Sequence, residues 1–295
     1  MKPLEFGRIL VTGASGFIGR HVHHALAGAA CQVVPVSRRH GVDMACRRAP
    51  KDWFDLLDGV DAVVNAAGII GETKHQRFSV LHTEAPVALF RACQALGVRR
   101  VVQVSALAAD AAAFSAYHRS KWAADRVLLA LDLDAVVLRP ALTYGPWGAS
   151  ARQLLHLSRL PWLPVPGDGR QALQPLDVAD LTEAVLRCLA PSLPARRTVD
   201  LVGPETFTFA AWLQRLRAAQ GLAPAPLLCV PGWLARAAVF VGQPLDPALR
   251  PDNLRMLMAG YCGSPREGAD LLGRAPAAPA DARLLAALKP PRSPA

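Results

Sequence analysis

The 295-residue chain has no CxxC pair, no long block of Lys and Arg, no internal repeat and no apolar run of bilayer length. Its six cysteines, Cys31, Cys46, Cys93, Cys188, Cys229 and Cys262, are widely spaced, and none stands at a metal-ligand interval from a histidine. A disulfide scaffold and a metal centre are therefore not expected; the pattern fits reduced thiols in a cytoplasmic protein, several of them filling core. No cleavable apolar leader is expected, since the first strand is read within ten residues of Met1. The most apolar late stretch, residues 227–241, is broken by Pro231 and Arg236 and is shorter than the ~20 residues that span a bilayer. A helix packed in the core is expected there, with a peripheral membrane contact as the alternative. The net charge of +10 invites a nucleic-acid partner. The basic residues, however, are scattered arginines, which read as a solvated surface with a local phosphate pocket.

What is present is organised around residues 8–20, RILVTGASGFIGR. A short apolar run breaks at Thr12-Gly13, and Gly16 and Gly19 follow at three-residue steps around Ser15, Phe17 and Ile18. This predicts a buried strand, a tight turn and the first turn of a helix. The glycines let the chain turn, admit a pyrophosphate against the backbone, and let helix pack on strand. The free N–H groups of the helix then face the phosphates. A second strand over Gln32–Val36 comes at the distance such a nucleotide site requires.

Further strands are expected to end at Val42-Asp43 and to cover 61–65, 100–105 and 134–139, with helices over 17–27, 79–96 and from Ser115. This alternation predicts an α/β fold, a doubly wound parallel sheet with ligands at the carboxyl ends of its strands. Residues 1–145 would form the dinucleotide-binding domain, with the Val178–Leu189 helix returning to it. Residues 146–295, rich in proline, would form a smaller substrate or partner region ending in a loosely held Pro/Ala-rich tail from Arg274. His21, His23 and His24 read as an exposed helix face. Trp147, Trp162, Trp212 and Trp233 fit either ordinary core or a weakly polar substrate or partner.

Tyr117-His-Arg-Ser-Lys121 is the second signal. Residues four apart share a helix face, and a cation beside a phenol would lower its pKa and make it an acid–base group. Lys121 would also reach ribose hydroxyls. Cofactor choice follows from the end of the second strand. The carboxylate that would hold ribose hydroxyls is replaced there by Ser37, with Arg38 and Arg39 next. Two guanidinium groups suit a 2′-phosphate, so NADP(H) is expected over NAD(H), with Arg20 adding to the patch.

The chain resembles the short-chain dehydrogenase/reductase (SDR) superfamily, more closely its extended or atypical branch. That branch holds nucleotide-sugar epimerases, dehydratases and the SDR-like accessory subunit of respiratory complex I. The resemblance rests on TGASGFIG, Val42-Asp43, Asn65-Ala-Ala-Gly68, Tyr117 with Lys121, Arg139-Pro140 before Thr143-Tyr-Gly-Pro146, and Val178-Ala-Asp180. It covers about the first 190 residues well and the rest loosely. By that resemblance Asp43 and Met44 contact the adenine, Ala66, Ala67 and Gly68 line the ribose side, and Pro140 with Leu142 faces the nicotinamide. Tyr117, Lys121 and Ser105 would be the catalytic residues.

Three departures shape the functional expectation. The hydroxyl cluster that ends this strand in the branch is reduced to Ser105-Ala106-Leu107, and the asparagine of the following helix reads as His82. Loss of one such donor costs around a hundredfold in rate. Leu173 stands where nucleotide-sugar enzymes carry an arginine after the GDGxQ segment, with Arg170 three residues earlier. The first reading is an NADP(H)-dependent oxidoreductase acting on a carbonyl or alcohol of a weakly polar small molecule. The second is an accessory protein that keeps NADPH without turnover, and a nucleotide-sugar epimerase or dehydratase ranks third. Nothing in the sequence sets an oligomeric state.

Overall fold

Short runs of Ile, Leu and Val, each closed by a Gly, Ser, Asn or Pro, become the strands of one sheet. The protein is described as a computed structural model over residues 7–29, 31–190, 193–242 and 250–288. Its strands are Arg8–Thr12 (β1), Gln32–Val36 (β2), Ala62–Asn65 (β3), Arg100–Val104 (β4), Asp134–Pro140 (β5) and Arg197–Leu201 (β6). They lie in the order β6-β5-β4-β3-β1-β2, and every neighbouring pair is parallel. The longer helices are Phe17–Gly28 (α1), Ala85–Leu96 (α2), Ala116–Ala130 (α3), Ala149–Leu157 (α4), Val178–Leu189 (α5), Phe209–Ala219 (α6), Gly232–Gly242 (α7), Pro251–Ala259 (α8) and Arg266–Leu272 (α9).

Alternation along the strands divides the core. Ile9, Val11, Val64 and Val102 point to the face covered by α1 and α5, where Val22, Leu26, Leu181 and Val185 meet them. Leu10, Val63, Val101 and Val137 point to the other face, against Leu89 and Phe90 of α2 and Leu128 of α3. A third cluster gathers Tyr144, Leu155, Leu163, Trp212 and Leu284 from the second half of the chain. Because the sheet is parallel, the carboxyl ends of β1, β3, β4 and β5 share one edge. The strand order departs in opposite directions from β1 and β3, which opens a crevice at that edge.

Several expectations need correction. No strand ends at Val42-Asp43: the Ser37 carbonyl accepts the Val42 amide at 3.0 Å, and Gly41 turns the chain at φ 77°. Asp43 then caps the short turn Met44–Cys46 by accepting from the Ala45 amide at 2.9 Å. The segment from Arg274 is held as far as residue 288. Arg274 pairs with Asp180 and Glu183, each at 2.6 Å, Arg283 pairs with Asp177 at 2.9 Å, and Leu284 and Ala287 are buried. Residues 289–295 lie outside the described residues. Residues 227–241 do not pack as a core helix either. Leu227–Val230 forms a strand beside Leu163–Pro166, and in the following α7 only Ala235 is buried. Among the described residues no helix is long and apolar enough to cross a membrane.

Candidate active site

The turn between β1 and α1 can be built only with glycine. At Gly13 φ is +65°, and an added Cβ would stand 2.8 Å from the Ala66 carbonyl oxygen and 2.9 Å from the Ala67 Cα. At Gly19 it would stand 2.2 Å from the Gly13 carbonyl oxygen. No side chain caps α1, so the amides of its first turn, over Phe17 and Ile18, are left for a ligand. Ser15 is half-buried beside them. This cradle, whose glycines admit a close backbone approach, fits a pyrophosphate.

On the far side of the crevice, α3 presents Tyr117 and Lys121. Ser115 caps this helix by accepting the His118 amide at 3.1 Å. The Lys121 ammonium donates to the carbonyls of Ala67 at 3.1 Å and Val104 at 3.0 Å, tying the ends of β3 and β4 together. Burial pulls its pKa down to about 8, with the Asp125 carboxylate opposing. A Cβ at Gly68 would meet the Lys121 Nζ at 3.2 Å, so that glycine leaves room for the ammonium. The Tyr117 ring sits among Phe78, His82 and His118, with centroid separations of 5.9, 5.4 and 5.2 Å. Its phenol is not acidified as expected. Burial pushes it up to about 12 and the negative charge of Asp125 acts in the same direction, so Tyr117 is a protonated donor at neutral pH.

His82 lies in a single π-helical turn, Ser79–Glu84, that leads into α2. Its Nε2 accepts the Ile69 amide at 3.0 Å, which places the proton on Nδ1. Nδ1 then donates to the Ser120 hydroxyl at 2.9 Å, and Ser120 donates to the Tyr117 carbonyl at 2.7 Å. Burial and the neighbouring Lys121 hold the imidazole well below its ordinary pKa, so it is a neutral brace and not an acid. His118 is also buried, with its Nδ1 2.9 Å from the Ser115 hydroxyl, a hydrogen bond to the Leu107 carbonyl, and the Tyr261 ring at 5.0 Å. Burial lowers its pKa to about 4.

Beneath the crevice runs a hydrogen-bond chain in which every donor points one way. The Ala67 amide donates to the Thr12 hydroxyl at 3.3 Å, and Thr12 donates to the Asn65 side-chain carbonyl. The Asn65 amide donates to Gln103 at 2.6 Å, and Gln103 donates to the Asp125 carboxylate at 3.3 Å. Ser105 donates to the other carboxylate oxygen of Asp125, and the Arg139 Nε stands 4.0 Å from it. The Ser105 hydroxyl is thus directed under α3, and Ala106 and Leu107 after it are buried. Asp125 was not among the residues singled out from the sequence. Its signal is simple: Tyr117, Lys121 and Asp125 recur every four residues and share one helix face. Phe78, Ser120 and Tyr261 carry no local signal.

At the far end of the crevice, Ser37 closes β2 with its hydroxyl 2.7 Å from the His40 Nδ1. Arg38 and Arg39 are exposed in the turn Arg38–His40, and His23 of α1 stands 6.2 Å from the His40 ring. Asp43 is exposed and Met44 is buried against Trp53 and Val36. Arg20 does not join this patch: it donates to the Ser15 carbonyl at 3.1 Å and lies over the Trp147 ring at 5.4 Å. His21 leaves the exposed face for the same reason, stacking on Trp147 at 4.7 Å and donating to the Pro146 carbonyl at 3.0 Å. On the β5 side, the Pro140 carbonyl accepts the Leu107 amide at 3.0 Å and the Leu142 carbonyl accepts the Leu176 amide at 2.9 Å. Leu173 is buried in the third cluster, and Arg170 is exposed and paired with Asp168 at 3.5 Å.

Known proteins are similar to this chain in sequence over part of its length and in architecture. The model of the NAD dependent epimerase/dehydratase family matches residues 9–199. A ceramide reductase of Caulobacter vibrioides is 31% identical over 171 residues, 54% of this chain and 54% of that protein. The NADH dehydrogenase [ubiquinone] 1 alpha subcomplex subunit 9 of Arabidopsis thaliana is 29% identical over 223 residues, 67% of this chain and 54% of that protein. The chain thus spans about half the length of these curated relatives. The structure of a UDP-glucuronic acid 4-epimerase from Bacillus cereus, solved with UDP-glucuronic acid and NAD, superposes with a TM-score of 0.71. It is 18% identical, covering 95% of this chain and 97% of that one, which is a likeness of fold. From the glycine cradle at β1 to the last strand of its sheet, this chain belongs to the NAD dependent epimerase/dehydratase family.

Proposed function

We propose that the protein is an NADP(H)-dependent oxidoreductase of the extended SDR type that reduces a carbonyl of a weakly polar small molecule. The observation that carries this reading is Lys121, pinned by the Ala67 and Val104 carbonyls, one helical turn from the Tyr117 phenol. The cradle of Gly13, Ser15, Gly16, Phe17, Ile18 and Gly19 would hold the pyrophosphate. Ser37, Arg38 and Arg39 would hold the 2′-phosphate, Asp43 and Met44 the adenine, and Ala66, Ala67, Gly68 and Lys121 the ribose next to the nicotinamide. Pro140 and Leu142 would back the nicotinamide ring. When bound, the dinucleotide supplies or accepts the hydride. Tyr117 gives its proton to the carbonyl oxygen, and Lys121 orients ribose hydroxyls and offsets the charge left on the phenol. A nucleotide sugar is disfavoured because Leu173 is buried and brings no cation, while Arg170 is exposed on the surface beside Asp168.

One observation favours a second reading, an NADPH-holding accessory protein without turnover. The Ser105 hydroxyl is committed to Asp125, and the next two side chains offer no donor to a substrate carbonyl. Relatives of this chain include a subunit of an NADH dehydrogenase [ubiquinone] as well as a ceramide reductase. Incubation with NADPH and a panel of apolar ketones, aldehydes and quinones separates the two. Oxidation of NADPH that falls by about a hundredfold or more in Tyr117→Phe supports the enzyme. Oxidation indifferent to that substitution removes Tyr117 as proton donor, and NADPH that binds and is never oxidised supports the accessory role.

A further inference from the structure

Helix α7 is built inside out. Its inward positions, Gly232, Ala235, Val239 and Gly242, recur every three or four residues and are mostly small. Its outward positions carry the large side chains: Trp233 is 72% exposed, Phe240 70% and Val241 75%. A helix that packs on a core in water has the reverse arrangement. The patch continues beyond the helix. In the strand before it Leu227 and Leu228 are exposed, and Trp162, which leads into the partner strand, is 57% exposed. Large apolar side chains exposed together along one helix face and the strand before it mark a contact with something other than water.

Charge says what that contact is. The sequence has no aspartate or glutamate between Glu205 and Asp246, whereas Arg236 projects from α7 itself. Asp168 faces Arg170 at 3.5 Å, and Asp252 of α8 faces Arg255 at 4.0 Å. Tryptophan, phenylalanine and leucine facing out with an arginine among them is the composition of a helix that lies in the interfacial layer of a bilayer. A symmetric pairing with a second copy would set Arg236 against Arg236 with no carboxylate on either helix, which works against it. Beneath α7 lies a cavity of about 300 Å³, lined by Phe114, Ala235, Arg236, Leu254, Arg255 and Met258. Phe114 precedes Ser115, the cap of the helix that carries Tyr117, so the cavity borders the loop that leads into that helix. The Arg255 guanidinium lies over the Phe114 ring at 4.6 Å, placing a cation where the cavity approaches that helix.

We propose that the outer face of α7, with Trp162 and Leu228, seats this protein on an anionic lipid bilayer, the helix lying in the plane of the surface. This does not depend on the cofactor or on turnover. The test is sedimentation of the full chain with vesicles of phosphatidylcholine alone and of phosphatidylcholine with phosphatidylglycerol. Binding is expected to be tighter to the anionic vesicles and weaker at high salt. Arg236→Ala should weaken it about fivefold, and the double substitution Trp233→Ser with Phe240→Ser should weaken it at least about tenfold while thermal unfolding is unchanged. A direct reading on the parent protein guards against a misfolded variant: brominated lipid should quench its tryptophan emission. No vesicle binding, binding untouched by the double substitution, or emission unaffected by brominated lipid would each overturn the proposal. So would a parent dimer that the double variant turns into a monomer without any vesicle binding, since the face would then belong to a second copy.

Discussion

The Ser105 hydroxyl at the end of β4 donates to the carboxylate of Asp125, one helical turn beyond Lys121 on α3. The same carboxylate takes the Gln103 amide, the last donor of a chain that begins at the backbone of Ala67. One buried acceptor therefore holds the ends of three strands and the helix that carries the phenol in register. Asp125→Asn keeps the shape but takes one acceptor site away, leaving Ser105 or Gln103 unpaired. The expected cost is about 1–3 kcal/mol of unfolding free energy, read from the urea midpoint. Because Asp125 also supports the charged form of Lys121, the lysine pKa should drop further below about 8 in this variant.

Glycines of α1 that look alike in the sequence differ in what surrounds them. Gly19→Ala would drive a Cβ to 2.2 Å from the Gly13 carbonyl oxygen, against backbone that cannot swing away. A loss of about 1–3 kcal/mol or more is expected, with nucleotide affinity falling alongside because the cradle itself must shift. Gly28→Ala, at the other end of the helix, meets nothing within 4 Å. It should be neutral or stabilising by up to about 1 kcal/mol. Equal denaturation midpoints for the two variants would overturn this account of the turn.

Acid should destabilise the protein through its buried histidines. Burial lowers the His118 pKa to about 4 from 6.5, and His82 is displaced in the same direction. The unfolded chain then binds more protons than the folded one between those values, so stability is fully present above pH 6.5 and lost as pH falls toward 4. His118 alone accounts for about 3 kcal/mol at most over that window. Urea unfolding at stepped pH should show the loss, and His118→Gln should flatten it. A parent curve that is level between those pH values would refute the assignment.

Much of this was legible in the sequence, for physical reasons that also mark where reading stops. The β1 turn and the buried strands follow from chain-local rules: glycine spacing, apolar runs and their length. Tyr117 and Lys121 were visible by their four-residue step, and Asp125 extends the same step, yet its partners Ser105 and Gln103 lie on another element and only the tertiary fold joins them. The strand expected at Val42-Asp43 fails because a turn at Gly41 satisfies the Val42 amide locally on Ser37. Residues 227–241 were read from average hydrophobicity, which says nothing about which side of the helix carries the bulk. The phenol of Tyr117 was misjudged because a neighbouring cation is readable in sequence, whereas burial, the larger effect here, is not.

Among the ion pairs that tether the chain from Arg274 onward, Arg274–Asp180 is buried on one side only. Asp180 is 1% exposed, while Arg274 is 44% exposed. Solvent screening on the arginine side reduces what would otherwise be a costly unpaired carboxylate. Arg274→Ala is expected to cost about 1–2 kcal/mol, since Asp180 retains the Ala277 amide at 2.6 Å. Truncation after Gly273 should cost far more, because Leu284 and Ala287 leave the third cluster with it. Limited proteolysis and thermal unfolding of the truncated chain check this, and an unchanged melting temperature would mean that the tail contributes nothing.

Cofactor choice turns on the end of β2. Its last residue is followed by Ser37, whose hydroxyl is engaged with His40, and no carboxylate stands there to receive ribose hydroxyls. Arg38 and Arg39 are exposed, and neither has an ion-pair partner among the described residues. If the ribose lies there as proposed, two unpaired guanidinium groups beside it favour a phosphate on it, each charge-assisted contact contributing about 1.5–3 kcal/mol. Arg38→Ala should therefore weaken NADPH by about tenfold or more and leave NADH within about twofold. Ser37→Asp should do the opposite, repelling the 2′-phosphate while offering NADH the acceptor it lacks. Calorimetric titration of both nucleotides against the three proteins decides the matter. Equal affinity for NADPH and NADH in the parent protein would end the 2′-phosphate assignment and leave the two arginines as solvated surface.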